Sequence, residues 1–368
     1  MELDTPIQFW KLIQPDSFIE LMVEQSRLYA TQNQAKLGKF MHLLTVENMR
    51  LVQGILLLMG YCKVPSRRYY WQSQDDCYNK LVAESIGRNN FEGILACLHF
   101  ADNERNDGVD KYYKVRPLFN NLNANCNKYN KNTKEFSVDE SMVQYFGFHS
   151  TKQFIKGKPI RYGFKIWTCA TSDGMPAWFE PYCGTSTLLP DLGLGQGPNV
   201  VLGLVNKAGL RPGMRVTFDN LFTSTALISK LSDIGIGGTG TIRQNRRTTI
   251  PIPDKKEAER TMARGEYKCL YKDDMVICCW RDNRPVYVLS NVHNKMDQED
   301  HTGVAKRRVR GKGQISIERP EMVTQYNINM GGVDNVDQMY LRYRIATNKN
   351  KWWFCFFPWS LNVSAVSA

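Results

Sequence analysis

The stretch MRVTFDNLFTSTALISKLSDIGIGGTGTI, residues 214–242, decides the fold class. Met214 to Phe218 read as a short strand that ends on Asp219 and Asn220, residues 224–233 read as a helix, and residues 237–242 as a Gly-rich second strand. Strand, helix and strand in that order make a crossover unit, which implies an α/β sheet. A central strand that ends in Asp aims its carboxylate at the C-terminal edge of the sheet, where such folds bind ligands.

Upstream, residues 136–142 alternate apolar and polar side chains around Asp139, as a strand does. Residues 164–171 and 175–182 flank Ser172-Asp173-Gly174, a hairpin signal. The Gly-rich connection 184–203 leads into a predicted helix at 200–207, and no G-x-x-x-x-G-K-S/T follows, so it reads as a loop and not as a phosphate cradle. Further upstream the pattern is helical. Phe18, Ile19, Met22 and Val23, then Leu51, Ile55, Leu56 and Met59 after Thr45, then Phe91, Ile94, Leu95 and Leu98 recur at helical spacing. The Asn-rich segment 120–133 reads as a linker between the helical and strand-rich parts.

Downstream, residues 246–318 run from a basic loop through strand-like segments at 275–280 and 286–291 to the basic run 306–312. This block reads as an insertion with a β-rich part and a flexible basic end. The run itself fits a nuclear localisation signal, a DNA contact or a disordered charged loop. Beyond it comes YNINMGGVDNVDQMY, residues 326–340, in which two glycines precede Asp334 and Asp337. Three residues apart, these carboxylates share one face if a helix starts here, and taken alone the stretch reads first as a plain acidic helical turn after a Gly-Gly turn.

With 368 residues the chain is long enough for two or three domains. Lys and Arg number 48 against 36 Asp and Glu, a net charge of +12 that favours a polyanionic partner, nucleic acid first. The longest apolar runs are too short to span a bilayer, the N-terminal residues have no secretory pattern, and an intracellular chain is expected. Ten scattered cysteines without a Cys-x-x-Cys pair argue for free thiols. Between Gly147 and Lys165, the residues Lys152, Lys156, Lys158, Arg161 and Lys165 interleave with aromatics and no acid. Such a segment suits DNA phosphates, and Arg243, Arg246 and Arg247 extend the same track.

Asp139, Asp219 and Asp334 thus form a candidate constellation. Three converging carboxylates would bind Mg²⁺ or Mn²⁺, and two such ions serve in-line phosphodiester displacement. The spacing alone does not bring the three together, since a strand-end Asp is also an ordinary turn residue.

In the segments FEGILACLHFADNERNDGVDKYYKVRPLF, SVDESM, KPIRYGFKIW, VTFDNLFTS and YNINMGGVDNVDQM, followed by Lys351-Trp352-Trp353, the chain resembles the piggyBac family of transposases over nearly its whole length. The resemblance implies an α/β fold with an RNase H-like catalytic domain at 135–245 and 323–341, interrupted by an insertion at 246–322. It also implies a mostly helical dimerisation and DNA-binding domain from 1–134 and 342–368. Carried over by motif, Asp139, Asp219 and Asp334 would be catalytic, holding two Mg²⁺ or Mn²⁺ ions, with Asp337 as an accessory carboxylate. The implied chemistry is hydrolysis at transposon ends, hairpin formation and joining to TTAA targets in double-stranded DNA by a nuclear homodimer.

Two departures accompany it. Phe148 stands where the family commonly has a basic residue, and the family's helical domain and, in many members, a cysteine-rich zinc-binding tail extend past the position of Ala368. A catalytically idle, transposase-derived DNA-binding or chromatin-associated protein is therefore the alternative. A fragment left unstable by uncovered apolar surface is a third reading.

Overall fold

The computed structural model describes residues 4–129, 133–185, 187–247, 249–293, 302–309, 313–346 and 351–368. Seven helices come first: α1 (Pro6–Ile13), α2 (Asp16–Gln32), α3 (Gln34–Leu37), α4 (Val46–Tyr61), α5 (Lys80–Ser85), α6 (Arg88–Cys97) and α7 (Arg116–Tyr129). The strand-rich half follows with β1 (Glu135–Gln144), β2 (Lys152–Phe154), β3 (Tyr162–Thr171), β4 (Pro176–Pro181), α8 (Gln196–Lys207), β5 (Arg215–Phe218), α9 (Thr225–Asp233) and β6 (Gly237–Thr241). Then come α10 (Lys255–Thr261), β7 (Tyr267–Lys272), β8 (Met275–Arg281), β9 (Pro285–Ser290), β10 (Thr302–Val309) and β11 (Gly313–Pro320). Helices α11 (Glu321–Asn329), α12 (Gly332–Arg342) and α13 (Phe356–Ser367) close the chain.

The helices begin where local chemistry lets them. Thr45 accepts a hydrogen bond from the Asn48 amide at α4, and Ser224 accepts one from Leu227 at α9, each satisfying an otherwise unpaired donor of the first turn. The expected apolar stripes are buried, from Phe18, Ile19, Met22 and Val23 on α2 to Phe91, Ile94 and Leu95 on α6.

A nine-stranded mixed sheet carries the second half, in the order β2-β3-β1-β5-β6-β9-β8-β7 with β4 also paired to β3. Strands β1, β5 and β6 run parallel, so the expected β5-α9-β6 crossover is present. Two faces of the sheet have different partners. Phe136 and Val138 on β1, with Trp167 and Cys169 on β3, pack against α8 and α9. Phe164, Ile166 and Ala170 of β3 instead join α12, α13 and the N-terminal helices in one core. Strand β9 pairs antiparallel with β6, so β7, β8 and β9 extend the main sheet, while β10 and β11 form a hairpin of their own.

Two expectations change. Segment 120–133, read as a linker, is helix as far as Tyr129, where α7 ends, and residues 130–132 lie outside the described residues. Its asparagines are fasteners: Asn123 donates to the Phe179 carbonyl at 3.0 Å and accepts from the Phe179 amide at 2.8 Å, and Asn121 donates to the Ile13 carbonyl. Tertiary bonds and the buried Leu118, Phe119, Leu122 and Cys126 outweigh the low helix propensity of Asn. The basic end of the 246–318 block is strand as far as Val309, paired from Thr302↔Pro320 to Val309↔Gly313; residues 310–312 lie outside the described residues. Helix α13 is itself packed into the core, with Phe356 to Ser364 buried throughout. Among the described residues, no single helix is long and apolar enough to cross a membrane.

Candidate active site

The parallel register brings the first two aspartates together. Val138 of β1 pairs with Phe218 of β5, so Asp139 and Asp219 follow on neighbouring strands one step further along. Asp219 also shapes the turn behind it. Its Oδ1 accepts from the Leu221 amide at 2.7 Å and its carbonyl from the Thr223 hydroxyl at 2.8 Å.

Helix α12 supplies the third and fourth carboxylates. Its start is pressed onto the sheet at Gly332, where an added Cβ would lie 2.2 Å from the Thr171 carbonyl oxygen and 2.6 Å from Ser137 Oγ. The Val333 amide donates to Ser137 Oγ at 3.1 Å, and one turn beyond Asp337 the Tyr340 hydroxyl donates to the Met142 carbonyl at 2.8 Å. Anchored at both ends, α12 lies along β1 with Asp334 and Asp337 between the anchors. Gly332→Ala is expected to lift this helix start and to cost about 1–3 kcal/mol in chemical denaturation, as overpacking of a tight contact does. A wild-type midpoint would mean that the contact yields.

Between Asp139 and Asp334 sits Lys158. Its Nζ lies 3.1 Å from Asp139 Oδ2 and 3.5 Å from Asp334 Oδ1. Burial opposes its charge, but Asp139, Asp334 and Glu140 together push its pKa up and keep it an ammonium. The acids around it are crowded. Burial raises the Asp337 carboxyl to about 7, with Asp334 and Asp139 adding to the rise against the Ser141 hydroxyl and Lys158. Burial and the neighbouring Asp139 raise Glu140 to about 8. Asp219 is raised by burial and Asp139, against the Leu221 amide and Arg243. Asp337 Oδ1 is buried with no hydrogen-bond partner.

The predicted basic residues divide. Lys156 is exposed at the cleft beside the site, Arg161 is exposed just before β3, and Arg243 is exposed with its Nε donating to Asn220 at 2.6 Å. Lys152 donates to the Gly147 carbonyl at 2.8 Å, and Arg246 donates to the carbonyls of Leu221 and Thr223, bracing the turn after Asp219. Lys165 lies 3.9 Å from the Trp167 ring and 4.0 Å from that of Tyr182, as a cation held between aromatic faces. Arg247 leaves the proposed track, because it is buried with its guanidinium 3.4 Å over the Tyr287 ring. Lys158 leaves it too, turned inward to the carboxylates. Sequence reasoning passed over Glu140, whose place next to Asp139 was the available signal, and over Lys158 as a counter-charge, for which spacing carried none.

Among the described residues, no three His, Cys, Asp or Glu side chains stand close enough to hold a metal ion as they are. Asp139 and Asp334 meet at the Lys158 ammonium, with Asp219 just past the neighbouring strand and Asp337 one turn further along α12.

A family profile described as Transposase IS4 matches residues 5–368. Two human proteins are similar over almost the whole chain: PiggyBac transposable element-derived protein 3, 38% identical over 365 residues and 96% of this chain, and PiggyBac transposable element-derived protein 2, 34% identical over 372 residues and 99% of it. The chain belongs to the piggyBac transposase family. It spans 59% and 61% of the length of those piggyBac relatives. A cryo-EM structure of the piggyBac transposase synaptic complex with hairpin DNA superposes with a TM-score of 0.80 at 21% identity, covering 100% of this chain and 74% of that one. The mixed α/β fold is therefore that of a piggyBac transposase.

Proposed function

We propose that this protein cuts and rejoins DNA phosphodiester bonds as a piggyBac-type transposase, with Asp139, Asp219 and Asp334 at the reacting centre and Asp337 beside them. What supports the reading is that β1 and β5 carry Asp139 and Asp219 forward side by side while α12 brings Asp334 within reach of the same Lys158 ammonium as Asp139, in a chain of this family. The donor set is all carboxylate and includes a buried orphan oxygen on Asp337, which fits a hard divalent cation. Asp139, Asp219 and Asp334 would hold two Mg²⁺ or Mn²⁺ ions, which supply Lewis-acid charge that activates a water or 3′-hydroxyl and steadies the leaving oxygen.

The chain's own residues do the rest. Arg246 fixes the turn that carries Asp219, Lys156 and Arg161 meet phosphates at the rim, and Asp337 stands beside Asp334 on α12. In this reading the sheet at 135–245 and 323–341 is RNase H-like, 246–322 is its insertion, and the helices of 1–134 and 342–368 bind DNA and a second copy of the chain. Action at TTAA sites in the nucleus belongs to the same reading, as the structural relative's bound hairpin DNA supports a DNA substrate.

One observation favours a second reading. Lys158 already neutralises the pair where a cation is required, as in a catalytically idle DNA-binding descendant. A supercoiled plasmid containing TTAA, incubated with Mn²⁺, separates the two. Nicking to the open circle supports the enzyme. Salt-sensitive DNA binding with no nicking under Mg²⁺ or Mn²⁺ selects the idle protein.

A further inference from the structure

We propose that Lys158 is an internal counter-cation: in the protein free of metal and DNA it fills the space between Asp139 and Asp334, and it must withdraw before a divalent cation can be held there. The proposal rests on the carboxylates being the cation site of the proposed function.

Lys158 bridges β1 and α12 in addition to their hydrogen-bonded anchors, with Nζ 3.1 Å from Asp139 Oδ2 and 3.5 Å from Asp334 Oδ1. An ammonium is a compact charge with three donors on a flexible stem, so it satisfies two carboxylates without fixing them as a rigid guanidinium fork would. The surroundings remain acidic even with Lys158 present. Asp139, Glu140, Asp219, Asp334 and Asp337 act on one another here, against the positive charges of Lys158 and Arg243. One ammonium therefore holds the loop and helix together without exhausting the demand for cations.

Withdrawal has a path. Lys158 lies on the turn between β2 and β3, beside Gly157 at φ +98°, whose outer side is open space. The turn borders a cleft of roughly 470 Å³ that also meets Glu140, Lys156, Asp334 and Asp337. A DNA phosphate arriving at this cleft offers the displaced ammonium a new anion, so cation and DNA should each strengthen the binding of the other, as linkage requires.

Titration of the DNA-free chain with Mn²⁺ by calorimetry tests this. Lys158→Gln is expected to bind Mn²⁺ roughly tenfold or more tightly than wild type, because a unit charge next to the site has gone. Lys158→Arg, which keeps the charge, is expected to stay near wild type. In thermal melts without metal Lys158→Gln should fall below wild type, and Mn²⁺ should restore it. Equal or weaker Mn²⁺ binding by Lys158→Gln, with wild type binding normally, overturns the counter-cation and leaves the metal site standing. A melt that stays low at saturating Mn²⁺ does the same, marking a purely structural lysine. Absence of Mn²⁺ binding in every variant, with plasmid DNA present or absent, brings down the metal site and this proposal together.

Discussion

Asp219→Asn is expected to reduce Mn²⁺-dependent plasmid nicking by roughly 10³-fold or more, the loss of several kcal/mol of charge stabilisation, while the melting temperature holds. The two effects separate because of what Asp219 touches. Asn keeps an oxygen to accept from the Leu221 amide at 2.7 Å, so the turn survives. It loses only a charge that burial and Asp139 already disfavour. Asp139→Asn and Asp334→Asn should abolish nicking as well, but each also removes a partner of Lys158, so their melts are expected to shift. Activity persisting in all three would remove the carboxylates from the reaction.

Phe356→Ala is expected to carry the largest stability cost, about 3–5 kcal/mol in a denaturant titration. Phe356 is fully buried at the start of α13, its ring centroid 5.7 Å from Tyr112, 5.6 Å from Phe119 and 5.0 Å from Phe164. Tyr112 and Phe119 belong to the N-terminal helical part and Phe164 to β3. Truncation therefore opens a cavity where three parts of the chain meet, and the surrounding rings cannot close it without leaving one another. Nicking should weaken with it. A cost under about 1 kcal/mol would mean that the site collapses freely or that α13 is not seated there.

What the sequence disclosed was whatever local chemistry encodes. Residues 214–242 carried their own strand, cap and crossover, and the two glycines before Asp334 announced a helix whose face could be counted. Asn123 misled, since Asn ordinarily marks turns and its bonds to Phe179 depend on a strand that arrives much later in the chain. The basic run misled similarly: lysine and arginine discourage a buried strand, yet a two-stranded hairpin can point them to solvent, as Lys306 and Arg308 do. Arg247 and Lys158 were read as surface charge because stacking on Tyr287 and bridging of two aspartates are tertiary facts. No window of sequence contains both partners.

The anchor between Tyr340 and Met142 has a consequence for the order in which the molecule is built. Strands β1, β3, β5 and β6 have all left the ribosome, with Asp139 and Asp219 already among them, before residues 246–322 and then α12 are made. Chains fold N-terminal part first during synthesis, and contacts across such separations form late. A nascent chain thus passes through a long interval with Asp139 and Asp219 already made, before β7 to β9 complete the sheet and α12 brings the other two aspartates. Only when α12 closes over β1 do Asp334 and Asp337 join Asp139, so in the proposed function the unfinished polypeptide lacks half of its reacting centre.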